Sequence, residues 1–262
     1  MVELYSHSRL CLYENCPEAY KAKYIDRVFP DIPRSIQLFL GSLAHESLEW
    51  LYKEIKGGRS VELDELVKHF ANNWHAQFSP DIRINSGEVG DYFNKGVKFL
   101  VDYYQRNKPF NENTIEVERK IIFSLDEDYG IMGYVDRIVL NKDGEYEVHD
   151  YKTNEMMKTQ EELDADRQLA LYHLGLREIF GKDINVKLVW HFLAHNRRME
   201  SARTPEELGK LRAETLDLIE KIRNTTEWPA CGKQWCDWCA WKKSQELDKK
   251  VFTRKGNLSS WS

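Results

Sequence analysis

Nothing in this chain approaches the roughly 20 consecutive apolar residues that a membrane-spanning helix needs, so no membrane association is expected. The opening Met-Val-Glu-Leu-Tyr-Ser-His lacks the basic, apolar and small-residue order of a secretory leader, and the cytoplasm is the expected location. Basic residues are not in excess: 38 Lys and Arg stand against 43 Asp and Glu, for a net charge of -5. A global electrostatic footprint for nucleic acid is therefore missing, and a polyanion would have to be held by bound metal ions or a local basic strip. Candidate strips are Arg197-Arg198, Lys242-Lys243 and the tail from Lys249-Lys250 to Lys255, each also readable as solvated surface. No Gly-x-x-x-x-Gly-Lys-Ser/Thr loop occurs, so any ATP-driven motor must be a separate chain. Internal repeats and low-complexity segments are absent too. Five cysteines in a reducing compartment are not expected to form structural disulfides, which leaves core, catalytic or metal-ligand roles. What is present, 42% hydrophobic and 31% charged residues over 262 positions, is ordinary for a globular protein and ample for a substantial core.

The most informative stretch runs from Gly133 to Thr153. Two segments rich in Val, Ile and Tyr flank Asn141-Lys-Asp143-Gly144, and Asp-Gly between such runs predicts a β-hairpin. Positions 136 and 150 are equidistant from 143, so the turn sets Asp136 and Asp150 opposite or one position apart. Directly opposed side chains in an antiparallel pair are roughly 5 Å apart at Cβ. Two carboxylates so close repel unless a cation lies between them, and a divalent metal is a common solution. Lys152 shares the strand face of Asp150. Two acids and an ammonium on one face suit phosphodiester hydrolysis: a metal lowers the pKa of a water, and the lysine orients that water or offsets developing charge. The Asp/Glu-x-Lys spacing by itself is weak, since it also occurs at Glu54/Lys56, Glu118/Lys120 and Asp248/Lys250. The hairpin alone is equally readable as a surface hairpin with a solvated charge face.

Around this hairpin the periodicity predicts an α/β order. Ser6 or Ser8 can cap a short helix that Cys16-Pro17 interrupts, and a second helix is expected over 17–24. A long amphipathic helix is predicted over 35–55 on Ile36, Phe39, Leu40, Leu43, Leu48, Leu51 and Tyr52, ended by Gly57-Gly58. His45 lies within it and by itself reads as a surface or hydrogen-bonded histidine. Two more helices over 62–107, joined by a polar linker at 79–90, read as a layer shaping a cleft. A strand over 115–125 follows, then the hairpin, a helix over 161–180 carrying Gln168 and Tyr172 on one face, a strand over 186–193, and a helix over 205–223. This order describes an α/β core with helices added before it, in a single domain. Near the end, Cys231, Cys236 and Cys239 lie among four tryptophans. Cys-x-x-Cys with a third Cys nearby suits a tetrahedral thiolate site, zinc or iron–sulfur, with Cys16 as the best fourth ligand. The plainer reading is a buried aromatic satellite core.

Taken together, these motifs resemble the RecB-type branch of the PD-(D/E)xK nucleases, which includes CRISPR-associated RecB-like exonucleases and the nuclease domains of recombination helicases. The opening Ser6-x-Ser8-x-Leu10-x-x-Tyr13-x-x-Cys16-Pro17-x-x-Tyr20 is similar to that family's start. Gly41-x-x-x-His45, Gly133-x-x-Asp136-Arg137, Asp150-Tyr151-Lys152-Thr153 and Gln168-x-x-x-Tyr172 follow in the family's order. The resemblance implies a restriction-endonuclease-like central mixed sheet flanked by helices, with an N-terminal helical region to about residue 110. An α/β core would occupy 111–225 and a Cys-rich segment 226–245. It also implies that His45, Asp136, Asp150 and the main-chain carbonyl of Tyr151 hold Mg²⁺ or Mn²⁺. Lys152 would position the attacking water, Gln168 and Tyr172 would support the lysine or contact the scissile strand, and Glu118 would play a supporting part. Cys16, Cys231, Cys236 and Cys239 would hold a [4Fe-4S] cluster, with zinc as the alternative. The family usually places its last cysteine about six positions after Cys-x-x-Cys; here Gln245 stands there and Cys231 lies upstream instead. The implied activity is a DNA exonuclease on single-stranded or open ends, with protein partners in repair, recombination or CRISPR adaptation. The competing class is a non-catalytic binding or assembly subunit.

Overall fold

The computed structural model describes residues 2–245, so the basic tail at 249–255 and the Asp248/Lys250 pair lie outside the described residues. In chain order the elements are β1 (Glu3–Tyr5), α1 (His7–Asn15), α2 (Pro17–Tyr20) continuing into a π-turn (Lys21–Ile25), α3 (Ile36–Lys56), α4 (Leu63–Gln77) and α5 (Val89–Asn107). The sheet-rich part follows: β2 (Thr114–Ser124), β3 (Tyr129–Leu140), β4 (Tyr146–Lys152), α6 (Gln160–Asp164), α7 (Arg167–Phe180), β5 (Val186–Phe192), β6 (Arg197–Ala202) and α8 (Pro205–Arg223). Among the described residues two compact units result, one of residues 2–7 with 33–216, the other of residues 8–32 with 217–245. Among the described residues no helix is long and apolar enough to cross a membrane.

In the larger unit, strand β3 organises a six-stranded mixed sheet. Its Ile131 pairs with Tyr5 of β1 in parallel and with Phe123 of β2 antiparallel, so β1 and β2 occupy opposite edges of β3. Further along, β3 pairs antiparallel with β4 from Leu140↔Tyr146 to Arg137↔His149. Parallel β5 and antiparallel β6 extend the sheet beyond β4. The α3–α4–α5 layer is a hydrophobic cluster of its own: Phe39, Leu43 and Leu51 meet Phe70 and Trp74 of α4 and Phe99 and Tyr103 of α5. The stripe that predicted α3 is its buried face, and Ser35 caps the helix by accepting from the Leu38 amide at 3.3 Å.

Several expectations on the elements need correction. The helix predicted over 161–180 is two helices. The first ends at Asp164 with Ala165 as its C-cap, and Asp166 caps the second, its carboxylate accepting from the Gln168 and Leu169 amides at 2.9 and 3.4 Å. The helix expected over 17–24 is α-helical only to Tyr20 and then widens into the π-turn. Strands β1 and β6 carry no signal strong enough to be read from the sequence. The first is three residues long, and the second is an edge strand whose Arg198 and Glu200 form an ion pair at 3.0 Å. Arg197-Arg198, read as a possible basic strip, therefore opens a strand, and Arg198 is already paired with Glu147 at 2.8 Å.

Candidate active site

The pairing of β3 with β4 ends at Arg137↔His149, so Asp136 and Asp150 are the next residue on each strand, at the mouth of the fork. The turn that fixes this register closes through Asn141, whose amide donates to the Glu145 carbonyl at 2.9 Å. The backbone amide of Tyr151 donates to Asp136 Oδ2 at 2.9 Å, so the carboxylate replaces a ladder partner at the point where the strands part. From α3, His45 bridges the same spot: Nδ1 is 3.2 Å from Asp136 Oδ2, and Nε2 donates to the Tyr151 carbonyl at 2.7 Å. Lys152 Nζ lies 2.7 Å from Asp150 Oδ2 and donates to Gln168 Oε1 at 3.0 Å, while Gln168 Nε2 donates to Asp150 Oδ1 at 3.3 Å and reaches the Tyr172 hydroxyl at 3.5 Å. All seven sequence-predicted residues of this group therefore meet in one place. An open cleft of about 590 Å³ exposes it, lined by His45, Glu118, Asp136, Asp150, Lys152 and Gln168 among others.

Two glycines make these approaches possible. A Cβ on Gly133 would sit 2.5 Å from the Tyr172 ring, so only glycine lets α7 lie against β3 there. A Cβ on Gly41 would meet Thr153 Oγ1 at 3.0 Å, which brings α3 against the end of β4. The spacings Gly133-x-x-Asp136 and Gly41-x-x-x-His45 thus each join a close contact to a functional side chain one turn or a few strand positions away.

The electrostatics are those of crowded, partly buried acids. Burial pushes the Glu118 carboxyl up to about 7, with Asp136 and Glu49 adding to it. Burial likewise raises Asp150, with Lys152 opposing and Asp136 reinforcing the rise. In His45, burial works against the charged ring, but Asp136, Asp150 and the Tyr151 carbonyl prevail and carry its pKa up to about 9. Lys152 is held protonated by Asp150 and Asp136 against the effect of burial. Donor atoms of His45, Glu118 and Asp136 lie within 4.8 Å of one another. Asp150 Oδ2 is taken up by the Lys152 ammonium at 2.7 Å. Two carboxylates and an imidazole whose donor atoms lie this close, with the Asp150 carboxylate beside them, are a donor set that fits a divalent ion.

Glu118 has a larger place here than sequence reasoning gave it. Its neighbours pair as Val117↔Arg137 and Arg119↔Val135, which puts Glu118 across from Asp136. Its φ of 49° is a left-handed conformation that a glutamate adopts at a cost of about 1–3 kcal/mol. The spacing 118/136 was visible in the sequence, but the backbone conformation was not.

A second group behind the hairpin was missed altogether. Arg137, fully buried, donates to Glu112 at 2.6 Å and to His149 Nδ1 at 2.8 Å, with its guanidinium 4.1 Å from the Tyr52 ring centre. His149 stacks on His191, its Nε2 donates to Glu147 at 3.1 Å, and Glu147 pairs with Arg198. Burial, then Arg137, holds His149 well below the ordinary histidine range, so the ring is neutral. An ionisable residue next to each aspartate, Arg137 and His149, is the signal the sequence offers.

In the smaller unit, the four cysteines Cys16, Cys231, Cys236 and Cys239 come together with all sulfurs within 4.8 Å of one another. Sγ of Cys239 is 3.9 Å from that of Cys16 and 3.7 Å from that of Cys231. Burial pushes the Cys236 thiol up to about 12, whereas the Lys233 amide lowers that of Cys231. Trp238 Nε1 donates to Glu18 at 3.0 Å, and Lys242 also pairs with Glu18. Cys11 stands outside the cluster.

A mixed sheet whose central hairpin opposes two aspartates, with a lysine two residues past the second, defines the restriction-endonuclease-like class of nuclease folds. Residues 5–244 match the model of the PD-(D/E)XK nuclease superfamily, and the chain belongs to that superfamily. Among solved structures, a candidate exonuclease from Eubacterium rectale is similar over 90% of this chain and 86% of its own, with a TM-score of 0.54 at 14% identity, a likeness of fold. The structure of SSO0001 is similar over 88% of this chain and 94% of its own at 14% identity, but with a TM-score of only 0.36. No curated protein sequence matches the chain.

Proposed function

We propose that this chain is a metal-dependent deoxyribonuclease of the RecB-like branch, an exonuclease acting on single-stranded or open DNA ends in the cytoplasm. The observation that carries the reading is the convergence of Asp136, Asp150, His45 and the Tyr151 carbonyl at the strand fork, with Lys152 positioned by Asp150 and Gln168. These four groups, joined by Glu118, would hold Mg²⁺ or Mn²⁺. A divalent ion there supplies Lewis acidity to the phosphoryl group and lowers the pKa of a bound water. The chain's own groups do the rest. Asp150 and Gln168 fix the Lys152 ammonium, which orients the attacking water and offsets the charge that develops on the phosphorane oxygens. Tyr172, wedged over Gly133, holds Gln168 from behind. His45, with Nδ1 against Asp136 and Nε2 donating to the Tyr151 carbonyl, is held beside two of the groups that would share the ion with it.

The thiol cluster is proposed as a structural metal site. The resemblance implies a [4Fe-4S] cluster, but the sulfur spacing favours zinc. With Zn–S near 2.3 Å, a tetrahedron of thiolates has edges of about 3.8 Å, against 3.7 and 3.9 Å between these sulfurs. In a four-iron cluster each thiolate binds a different iron and the sulfurs stand further apart. Protein partners in repair, recombination or CRISPR adaptation are part of the proposal, and the rival class, a non-catalytic assembly subunit, would not keep the lysine and all three acidic and imidazole donors.

The test is digestion of end-labelled linear and covalently closed circular single-stranded DNA with Mn²⁺, beside Asp150→Ala. Loss of the linear strand alone, absent in the variant, establishes the exonuclease. Cleavage of the circle makes it an endonuclease. Inertness toward both transfers the reading to the assembly subunit.

A further inference from the structure

The face of the β2–β3 ribbon beyond the acid cluster is open. Gly133 lies against Tyr172 of α7, so its neighbour Tyr134 points away from α7, to the face from which His45 reaches Asp136. On β2, Ile121 and Phe123 pack over Gly175 of α7, which turns Lys120 and Ile122 the same way. Lys120 pairs in register with Tyr134, and Ile122 with Met132. Tyr134 is 52% and Ile122 50% exposed, unusual for such side chains on a central ribbon. Lys120 is exposed and forms no ion pair among the described residues. The row Glu118–Asp136, Lys120–Tyr134, Ile122–Met132 thus runs from acids through a cation beside an aromatic ring to apolar side chains, in steps of about 7 Å along the strand.

We propose that this open face is the binding platform for the substrate strand next to the scissile phosphate, with Tyr134 stacking on a nucleobase and Lys120 neutralising a backbone phosphate. The inference rests on the nuclease reading and deepens it, because a strand whose phosphate sits at Asp136 must continue across one side of the cluster. A free ammonium beside an exposed ring matches the two features that single strands offer at each step, a phosphate and a π-face. The platform reads no sequence, since every base stacks. It favours a strand with unpaired bases over an intact duplex, whose bases are already stacked on each other.

The experiment uses the full chain and a single-stranded oligonucleotide carrying 2-aminopurine, first in metal-free buffer to read binding, then with Mn²⁺ to read turnover. Tyr134→Ala should remove the quenching of 2-aminopurine and weaken binding by roughly tenfold or more, with the loss in turnover falling on KM rather than kcat. Tyr134→Phe should restore both. Lys120→Ala should weaken binding and reduce the salt dependence of log Kd by about one phosphate contact. Tyr134→Ala with wild-type quenching and KM overturns the platform, as does a change in sedimentation showing that the patch joins two copies of the chain. If the wild type binds and quenches but cleaves nothing, the nuclease reading fails while the platform stands.

Discussion

Two clusters of metal-ligand type sit in different units and answer the same physical problem in opposite ways. Around Asp136 the donors are carboxylate oxygens and an imidazole, and the acids favour protons and internal cations: His45 is carried up to about 9 and Lys152 pairs with Asp150. Around Cys239 the donors are sulfurs, and burial with mutual sulfur contacts raises Cys236 to about 12 while the Lys233 amide lowers Cys231. The first cluster opens on a cleft and is framed by Lys152 and Gln168. Near the second, Glu18 accepts from Trp238 and pairs with Lys242. The difference teaches that donor type and surroundings, more than convergence of ligands, are what assign the proposed catalytic role to one cluster and the proposed structural role to the other.

The comparison breaks most sharply at Lys152. Lys152→Ala should cut cleavage by about 100- to 1,000-fold while DNA affinity, read by anisotropy, changes little; unchanged turnover would remove the lysine from the mechanism. Cys236→Ser should act on stability instead. Its melting temperature should fall by roughly 5–10 °C, as a loss of a few kcal/mol does in a domain of this size. Plasma emission should find about one zinc per wild-type chain and none in the variant; a brown protein with about four irons would restore the cluster. At His45 the sign follows from the raised pKa. A proton must leave before the ring can bind an ion, so Mn²⁺ affinity should drop by up to about tenfold per pH unit below pH 9. Calorimetry in buffers of different ionisation enthalpy at neutral pH should register about one proton released per ion, and no release would exclude His45 as a ligand. The smallest effect is expected of Gly133→Ala, where the new methyl must displace the Tyr172 ring. A destabilisation of about 1–3 kcal/mol in urea unfolding, with a lower kcat, would fit, and a neutral result would show that the α7 contact is not constrained.

What the sequence reveals follows the range of the interactions. The 136–150 pairing rests on a local turn and a period of two, so counting residues from Asp143 finds it. The buried stripe of α3 spans five turns and is just as plain. Family resemblance, not spacing, brought His45 to the aspartates, because nothing local links positions 45 and 136. The left-handed backbone at Glu118 and the Arg137–His149–His191 stack depend on what packs around them and leave no periodic trace. Asp166 is different: a capping residue just before Arg167-Gln168 was legible as a helix start, and the apolar pattern running across it hid the break. The cysteines were placed together from spacing and residue type, yet only their distances bear on which metal they take.

The Tyr151 amide, which donates to a carboxylate rather than to a strand carbonyl, has a consequence for observation. Exchange of that one hydrogen with solvent depends on a side chain keeping its place, whereas the flanking amides of β4 lie in the strand ladder. It is a built-in gauge of where the Asp136 carboxylate points, readable in a spectrum without substrate and without altering the site.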